Sequence, residues 1–570
     1  MKETEKITGG DALLRSLIAE GVDTIFGYPG GAIMPVYDKL LDYSDQLRHI
    51  LTRHEQGAAH AAQAYAMATG KPGVCFSTSG PGATNLITGI ANAYLDSVPV
   101  IFITAQVASS LIGTDAFQET DILGASMPVT KWNCQVNSAD QIAEAVAKAF
   151  YIANTGRKGP VLIDIAKDAQ VNLTDYSYDK CTFIRSYNPT IPLKKQAIES
   201  AAVMINHAEK PMILAGHGVL LSGAEKELLY FAEKSGIPVA VTLLGLSCFP
   251  TDHRLYAGLL GMHGNLAPNK MTNEADLIIA VGMRFDDRVT SRVKTYAKNA
   301  RIIHIEIDPA EINKIVQVDL EINADAKEAL KYLTALVDSK SYDSWIREFK
   351  LCDKIENETV ISKAINPEAG DIRMGEVVSM VSKLTNGEAI VVTDVGQNQM
   401  VAARYYDYKI PNSLITSGGM GTMGFGLPAA IGAKVGQPDR EVVLFAGDGG
   451  LQMTIQELGT ILHYGIPVKI VLLNNGWLGM VRQWQEMFFN RRYSSTEMIN
   501  PDFQLIAQAY SIAYRKVQKR EELSEAVAEM VKCEGPFFLE VRVEKEENIL
   551  PMVPAGATVS DVTLTFESNC

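Results

Sequence analysis

The stretch REVVLFAGDGGLQMTIQELGTILHYGIPVKIVLLNNGWLGM occupies residues 440–480. It opens on an apolar, β-branched run, VVLFA, that stops at Gly447-Asp448-Gly449. A segment of helical period follows, then a second apolar run, VKIVLL, that stops at Asn474-Asn475. A strand, a helix-length connection and a second strand make one βα unit of a parallel sheet. Ligands of open parallel sheets bind beyond the carboxyl ends of the strands. One carboxylate and two carboxamides stand at two such ends, and the connection makes those strands neighbours. The glycines around Asp448 let a ligand approach the backbone. A carboxylate, a carboxamide oxygen and backbone carbonyls suit a hard cation, and magnesium fills the rest of its shell with phosphate and water. With Asn475 27 residues after Asp448, the constellation points to Mg2+ holding a diphosphate. For GDG alone, a tight turn with Asp448 capping the next helix is the competing account.

The same alternation runs along all 570 residues, too many for one core. Strands are expected at 49–51, 73–78, 98–104, 160–166, 211–216, 277–282, 301–308, 389–396, 442–447, 468–473 and 537–543. Residues 171–195 and 338–370 read as linkers, being polar or charge-rich without a clear period. The expected fold is α/β with three doubly wound parallel-sheet domains, over 1–172, 193–340 and 368–548, with a tail at 549–570. An internal echo joins the first and third blocks. KPGVCFSTSGPG (71–82) is followed by a strand starting 17 residues after Pro81, and REVVLFAGDGG (440–450) by one starting 18 residues after Asp448. Proline offers a metal no side-chain ligand, so the Gly80-Pro81-Gly82 copy must do something else.

Composition narrows the functional classes. A net charge of −14 argues against nucleic-acid or anionic-membrane partners. No apolar stretch is long enough to span a bilayer, and the N-terminus moves quickly into an amphipathic helix pattern without a signal or transit segment. Cys75, Cys134, Cys181, Cys248, Cys352, Cys533 and Cys570 are scattered, odd in number and without CxxC spacing. That pattern fits a reducing, cytoplasmic compartment without structural zinc.

GDG followed by NN at this spacing resembles the metal-binding motif of thiamin diphosphate enzymes. Nearly the whole chain resembles the catalytic subunits of acetohydroxyacid synthases of the FAD-containing biosynthetic type. The resemblance is carried, in order, by FGYPGGAIMPVYD (26–38), RHEQGAAHAAQAYA (53–66), STSGPGATN (77–85), AFQETD (116–121), GMHG (261–264), RFDDRV (284–289), GMGTMGFGLPAAIG (419–432), GDGGLQMT (447–454) and NNGWLGMVRQWQ (474–485).

The resemblance implies roles. Asp448 and Asn475 ligate Mg2+ through side chains and Trp477 through its carbonyl; the family often has other residues at Gly476 and Trp477. Gln397, Gln399, Gly421, Gly447, Gly449, Gly450, Leu478, Gly479 and Met480 complete the thiamin diphosphate contacts, with Met423 propping the cofactor in a bent form. Glu55 matches the glutamate that bonds the aminopyrimidine and drives formation of the C2 ylid, the carbon nucleophile. FAD is implied across the middle block, at Arg157, Gly216, Gly218, Thr242, Leu243, Met262, His263, Gly282, Arg284, Asp286, Arg288, Glu306, Ile307, Asp325 and Ala326; a surface ion-pair cluster is the competing account of RFDDR. The loop Gly30-Gly31-Ala32 and the pair Phe117-Gln118 are implied to face the reacting carbon. Lys167 joins them, although Ala166 stands where the family commonly has proline. Arg288 offers a forked donor to a ketoacid carboxylate, with Met262 beside it. Trp484 resembles the residue that packs on the extra methyl of 2-ketobutyrate.

The expected activity is decarboxylation of pyruvate and transfer of its two-carbon unit to pyruvate or 2-ketobutyrate, giving 2-acetolactate or 2-aceto-2-hydroxybutyrate. This is the first shared step towards valine, leucine and isoleucine. Small 2-ketoacids, a homodimer or dimer of dimers with sites between chains, and a separate small regulatory subunit are the implied partners. A pyruvate oxidase-like enzyme with a redox flavin is the alternative. A catalytically dead regulatory relative is disfavoured by the presence together of Glu55, Asp448 and Asn475.

Overall fold

The computed structural model describes residues 5–189 and 191–565. Cys570 and the end of the tail lie outside the described residues. Three six-stranded sheets, every pairing parallel, are each flanked by helices. The doubly wound α/β reading holds for all three units.

The echo between the first and third units is a shared topology. The first sheet runs Arg48–Leu51, Thr24–Gly27, Gly73–Ser77, Val100–Gln106, Val161–Ala166, Trp132–Val136 across its width. The third runs Leu414–Ile415, Ile390–Thr393, Val442–Gly447, Lys469–Asn474, Phe537–Arg542, Ala513–Val517. In chain order both read 2-1-3-4-6-5. The middle sheet differs: Tyr256–Leu259, Val239–Val241, Pro211–Ala215, Leu277–Val281, Arg301–Glu306, Leu320–Asn323 is the 3-2-1-4-5-6 order of dinucleotide-binding folds.

The eleven expected strands are all present. The strands that the sequence reading missed are short or lie at sheet edges, where the apolar signal is weak: Trp132–Val136, Leu414–Ile415 and Ala513–Val517 among them. Both linker readings are corrected in part. Within 171–195, Leu173–Tyr176 pairs antiparallel with Glu5–Thr8. Within 338–370, Asp343–Glu356 is a helix whose Trp345, Phe349 and Cys352 are buried, and Trp345 Nε1 donates to Pro211 O at 2.9 Å. Most of the charges that made this stretch look like a linker lie on that helix's outer face; Glu356 is the exception, buried and paired with Arg404. The tail returns to the middle unit, where Val553 N donates to Met262 O at 2.8 Å.

The first and third units meet helix to helix. Glu55–Thr69 packs along Gly426–Gly436 through small residues: Ala64 and Ala68 share a core with Ala429, Ala430 and Ala433. His54 caps the first helix by accepting from Gln56 N at 3.1 Å, and Gly70 ends it with φ +73°, which costs glycine little.

Candidate active site

Strand Val442–Gly447 pairs with Lys469–Asn474, with Gly447 opposite Leu473. Asp448 and Asn475 therefore emerge side by side at the carboxyl edge of the sheet. Asp448 is wholly buried. Its Oδ2 accepts from Gly476 N at 3.0 Å and from Asn500 Nδ2 at 2.6 Å. Gly476 reaches that position with φ +70°. The other carboxylate oxygen, Oδ1, is buried and has no partner among the described residues. Burial raises the Asp448 carboxyl, and the Asn500 bond opposes the rise. A buried carboxylate oxygen without a donor is costly unless a cation meets it, so the site fits the divalent ion expected from the motif.

One cleft gathers most of the diphosphate contacts expected from the sequence: Gln397, Met423, Gly447, Asp448, Gly449, Gly450, Asn475, Trp477, Leu478, Gly479 and Met480. Gly449 and Gly450 have no room for side chains, since a methyl on either would strike Leu478 or Asp394. Asn475 Nδ2 reaches Gln397 Oε1 at 3.4 Å, and its Oδ1 accepts from Trp477 N at 3.0 Å.

Beside it lies a cavity of about 750 Å³, sharing Val395 and Met480 with the first. Its wall holds Gln399, Gly421 and Trp484 together with Arg157, Gly218, Thr242, Leu243, Met262, His263, Gly282, Arg284, Asp286, Arg288, Glu306, Ile307, Asp325 and Ala326. Of the middle-block residues expected there, Gly216 alone is not in the wall. It is instead packed on the backbone of Gly282, where a methyl would come 2.9 Å from the Gly282 carbonyl carbon. Gly218 and Gly282 follow strands Pro211–Ala215 and Leu277–Val281, the two between which the 3-2-1-4-5-6 order reverses. That reversal is where such sheets bind dinucleotides.

Charges in this cavity are unevenly free. Arg157 is engaged by Asp308 at 3.1 Å and Glu311 at 2.7 Å. Asp286 caps its own helix by accepting from Arg288 N at 3.0 Å, and Asp325 does the same for Lys327 N at 2.9 Å. Arg288 is exposed, its Nη1 3.4 Å from Met262 Sδ. Burial pushes Glu306 up to about 7. Trp484 stands one turn after Met480 and meets Phe488 edge to face, ring centres 5.4 Å apart.

Glu55 opens its helix in the first unit. Asn85 Nδ2 donates to its Oε2 at 3.0 Å, and a methyl on Gly82 would lie 3.2 Å from its Oε1. The echo copy Gly80-Pro81-Gly82 thus cradles a carboxylate where the third unit's GDG supplies one. Gln118, at φ +60°, crowds Gly80, while Thr78 fills the space above Gly30 and its Oγ1 accepts from Ala32 N at 3.3 Å. Phe117 is 88% exposed, and Lys167 is exposed at the end of its strand. Neither cavity is lined by Glu55, Gly31, Phe117, Gln118 or Lys167. Within one chain, Glu55 lines neither the cleft that holds Asp448 nor the cavity beside it.

Sequence reasoning missed two supporting carboxylates. Asp394, buried at the end of strand Ile390–Thr393, accepts from Gly424 N at 3.0 Å and Gly426 N at 3.0 Å, which holds the Met423 loop. Its place in AIVVTDVG at a strand end was the available signal. Glu457 reaches from the third unit to accept from Arg53 N at 3.1 Å, two residues before Glu55. Gly57 leaves it room, since a methyl there would lie 2.8 Å from Glu457 Cδ. That contact spans 404 residues of chain, beyond any local pattern.

Comparison with known proteins agrees with this geometry. The N-terminal TPP binding domain of thiamine pyrophosphate enzymes matches residues 7–125, their central domain 198–333, and their C-terminal TPP binding domain 394–541. The acetolactate synthase large subunit of Lactococcus lactis subsp. lactis is 46% identical over 555 residues, covering 97% of this chain and 95% of its own. The chain belongs to the acetolactate synthase large-subunit family. A probable acetolactate synthase large subunit of Methanocaldococcus jannaschii is 46% identical over 564 residues, covering 97% of this chain and 95% of its own. The Escherichia coli isozyme 2 large subunit is 44% identical over 557 residues, with coverage of 98% and 99%. Among the described residues no helix is long and apolar enough to cross a membrane.

Proposed function

We propose that this chain is an acetolactate synthase that joins the two-carbon unit of pyruvate to pyruvate or 2-ketobutyrate. The observation that carries the reading is Asp448, buried in the wall of a glycine-lined cleft with one oxygen unpartnered among the described residues. Asp448, Asn475 and the Trp477 carbonyl would hold Mg2+, and the glycines at 447, 449 and 450 would admit the diphosphate. Thiamin diphosphate, when bound, supplies a carbon nucleophile that also accepts the electrons released with CO2. Glu55 would hold the proton at the pyrimidine ring nitrogen. The chain's other residues orient and select: Arg288 offers a forked donor to the ketoacid carboxylate, and Trp484 packs on the acceptor's terminal carbon.

FAD is proposed for the large cavity because a dinucleotide suits the glycines at the strand-order reversal. A second copy of the chain is proposed to bring its Glu55 to this cation site. Leu111, Phe117 and Met127 of the first unit are exposed, apolar surface that a second copy would cover. A small regulatory subunit and a cytoplasmic location complete the proposal. The test is turnover of pyruvate, with and without 2-ketobutyrate, by purified chain supplied with thiamin diphosphate, Mg2+ and FAD. The reading expects acetolactate, acetohydroxybutyrate and CO2 without oxygen uptake. Oxygen consumption with acetate or acetyl phosphate as product would replace it with the oxidase.

A further inference from the structure

Two asparagines close strand Lys469–Asn474, and the cation site uses only the second. Asn475 lines the cleft, whereas Asn474 turns to the opposite side of the sheet edge. Asn474 Oδ1 accepts from Asn500 Nδ2 and from Arg542 Nη1, both at 3.1 Å, and its Nδ2 donates to Glu540 Oε1 at 2.8 Å. Asn500 is the hub of this cluster. Its Nδ2 gives one hydrogen to Asn474 and the other to Asp448 Oδ2 at 2.6 Å. Its Oδ1 accepts from Gln452 Nε2 at 3.0 Å, which also reaches Asp448 O at 2.9 Å. The carboxamide is therefore fixed on every side, and so is the carboxylate oxygen it holds.

A carboxylate free to turn offers a cation either oxygen or both. Asp448 is denied that choice, because Oδ2 is occupied by Asn500 and Gly476 while Oδ1 is bare. We propose that Asn500, backed by Asn474, is a positioning residue of the cation site: it pins Oδ2 of Asp448 so that Oδ1 alone faces the ion. The proposal rests on the cation reading above and deepens it. Its consequence is selectivity. Magnesium demands near-octahedral geometry from single oxygens, whereas calcium accepts irregular shells and two-oxygen carboxylates. A pinned carboxylate favours magnesium, and a released one favours calcium.

The experiment uses full-length chain, stripped of metal by chelator and saturated with thiamin diphosphate, titrated calorimetrically with Mg2+ and separately with Ca2+. In Asn500→Ala the Mg2+ dissociation constant should rise about 10–100-fold, the usual loss when a group orienting a ligand is removed. The Ca2+ constant should change by no more than about threefold, as its flexible shell allows. The thermal midpoint of the stripped protein should match the wild type. Equal weakening for both ions would overturn the proposal in favour of a structural role, and unchanged Mg2+ binding would overturn it outright. If Asn500→Ala does not fold, Asn500→Leu, close to it in volume, carries the same comparison. A wild-type chain that binds neither ion would remove the cation reading and this proposal together; a wild type that binds Mg2+ beside an unaffected variant would remove the proposal alone.

Discussion

Gly432 lies within helix Gly426–Gly436, where the third unit meets Ala61 on helix Glu55–Thr69 of the first. A methyl group added there would land on the Ala61 carbonyl, 2.6 Å from its carbon and 2.8 Å from Ala61 Cα. Carbon atoms settle at about 3.5–4.0 Å, so the helices would have to part by roughly 1 Å. A gap of that size forfeits about a quarter to a half of each contact's attraction. The alanines at 64, 68, 429, 430 and 433 that line this interface have no rotamer with which to refill it. Overpacking of this kind costs about 1–3 kcal/mol. In the opposite direction, alanine exceeds glycine inside a helix by about 1 kcal/mol. The obstacle is backbone, which no rotamer change can clear, so the clash falls at the upper end of that range and Gly432→Ala should destabilise by roughly 2 kcal/mol. The displaced helix also carries Glu55, so activity should fall with stability. Because a three-unit chain need not unfold in one step, the assay is a comparison of thermal midpoints at one scan rate, with acetolactate formation measured on the same samples. A midpoint equal to or above the wild type would refute the close approach of these helices.

Three further outcomes are expected. Asp448→Ala should leave the fold intact and weaken thiamin diphosphate binding sharply in Mg2+, read by calorimetry; unchanged binding would remove Asp448 from the site. Trp484→Leu should lose about 1–2 kcal/mol of preference for 2-ketobutyrate, roughly 5–30-fold in product ratio, because a buried methylene is worth that much. An unchanged ratio in a two-acceptor competition would take Trp484 out of the pocket, and equal loss of both products would make it a structural tryptophan. Burial raises the Asp96 carboxyl from its ordinary 3.8 to about 6, against the opposing bonds from Gly419 and Gly418. The native chain then holds a proton that the unfolded chain releases between those values, so wild type gains stability as pH falls through 6 and loses it above. Relative to Asp96→Asn, cofactor-free wild type should improve by about 2–3 kcal/mol from pH 7.5 to pH 4; a difference flat with pH would refute the buried ionisable state.

Much of the fold was legible because central strands are continuous apolar runs. VVLFAG and VKIVLL could hardly be anything else, and the near-equal spacing after Pro81 and Asp448 anticipated the shared 2-1-3-4-6-5 order. Edge strands such as Ala513–Val517 bury only one face and carry Arg515 and Lys516, so their pattern dissolves into that of a loop. The charged face of helix Asp343–Glu356 hid Trp345 in the same way. In the candidate site, strand-end residues were readable from position. Asn500 was not: it stands in an irregular segment 52 residues beyond Asp448, and only the fold brings them together. That Glu55 does not line the cleft of Asp448 within one chain was likewise visible only in three dimensions, and it is the observation behind the proposal of a second copy.

That proposal provides the sharpest test. Glu55→Gln and Asp448→Ala, each purified and each inactive alone, are to be mixed under conditions that exchange subunits, and acetolactate formation from pyruvate measured. If each site takes Glu55 from one chain and Asp448 from the other, half of the randomly formed dimers are mixed, each with one intact site and one doubly damaged site. Activity should then return to about a quarter of the wild-type value per site, as expected for sites shared across a two-fold interface. A mixture as inactive as its components, with exchange verified, would contradict the account.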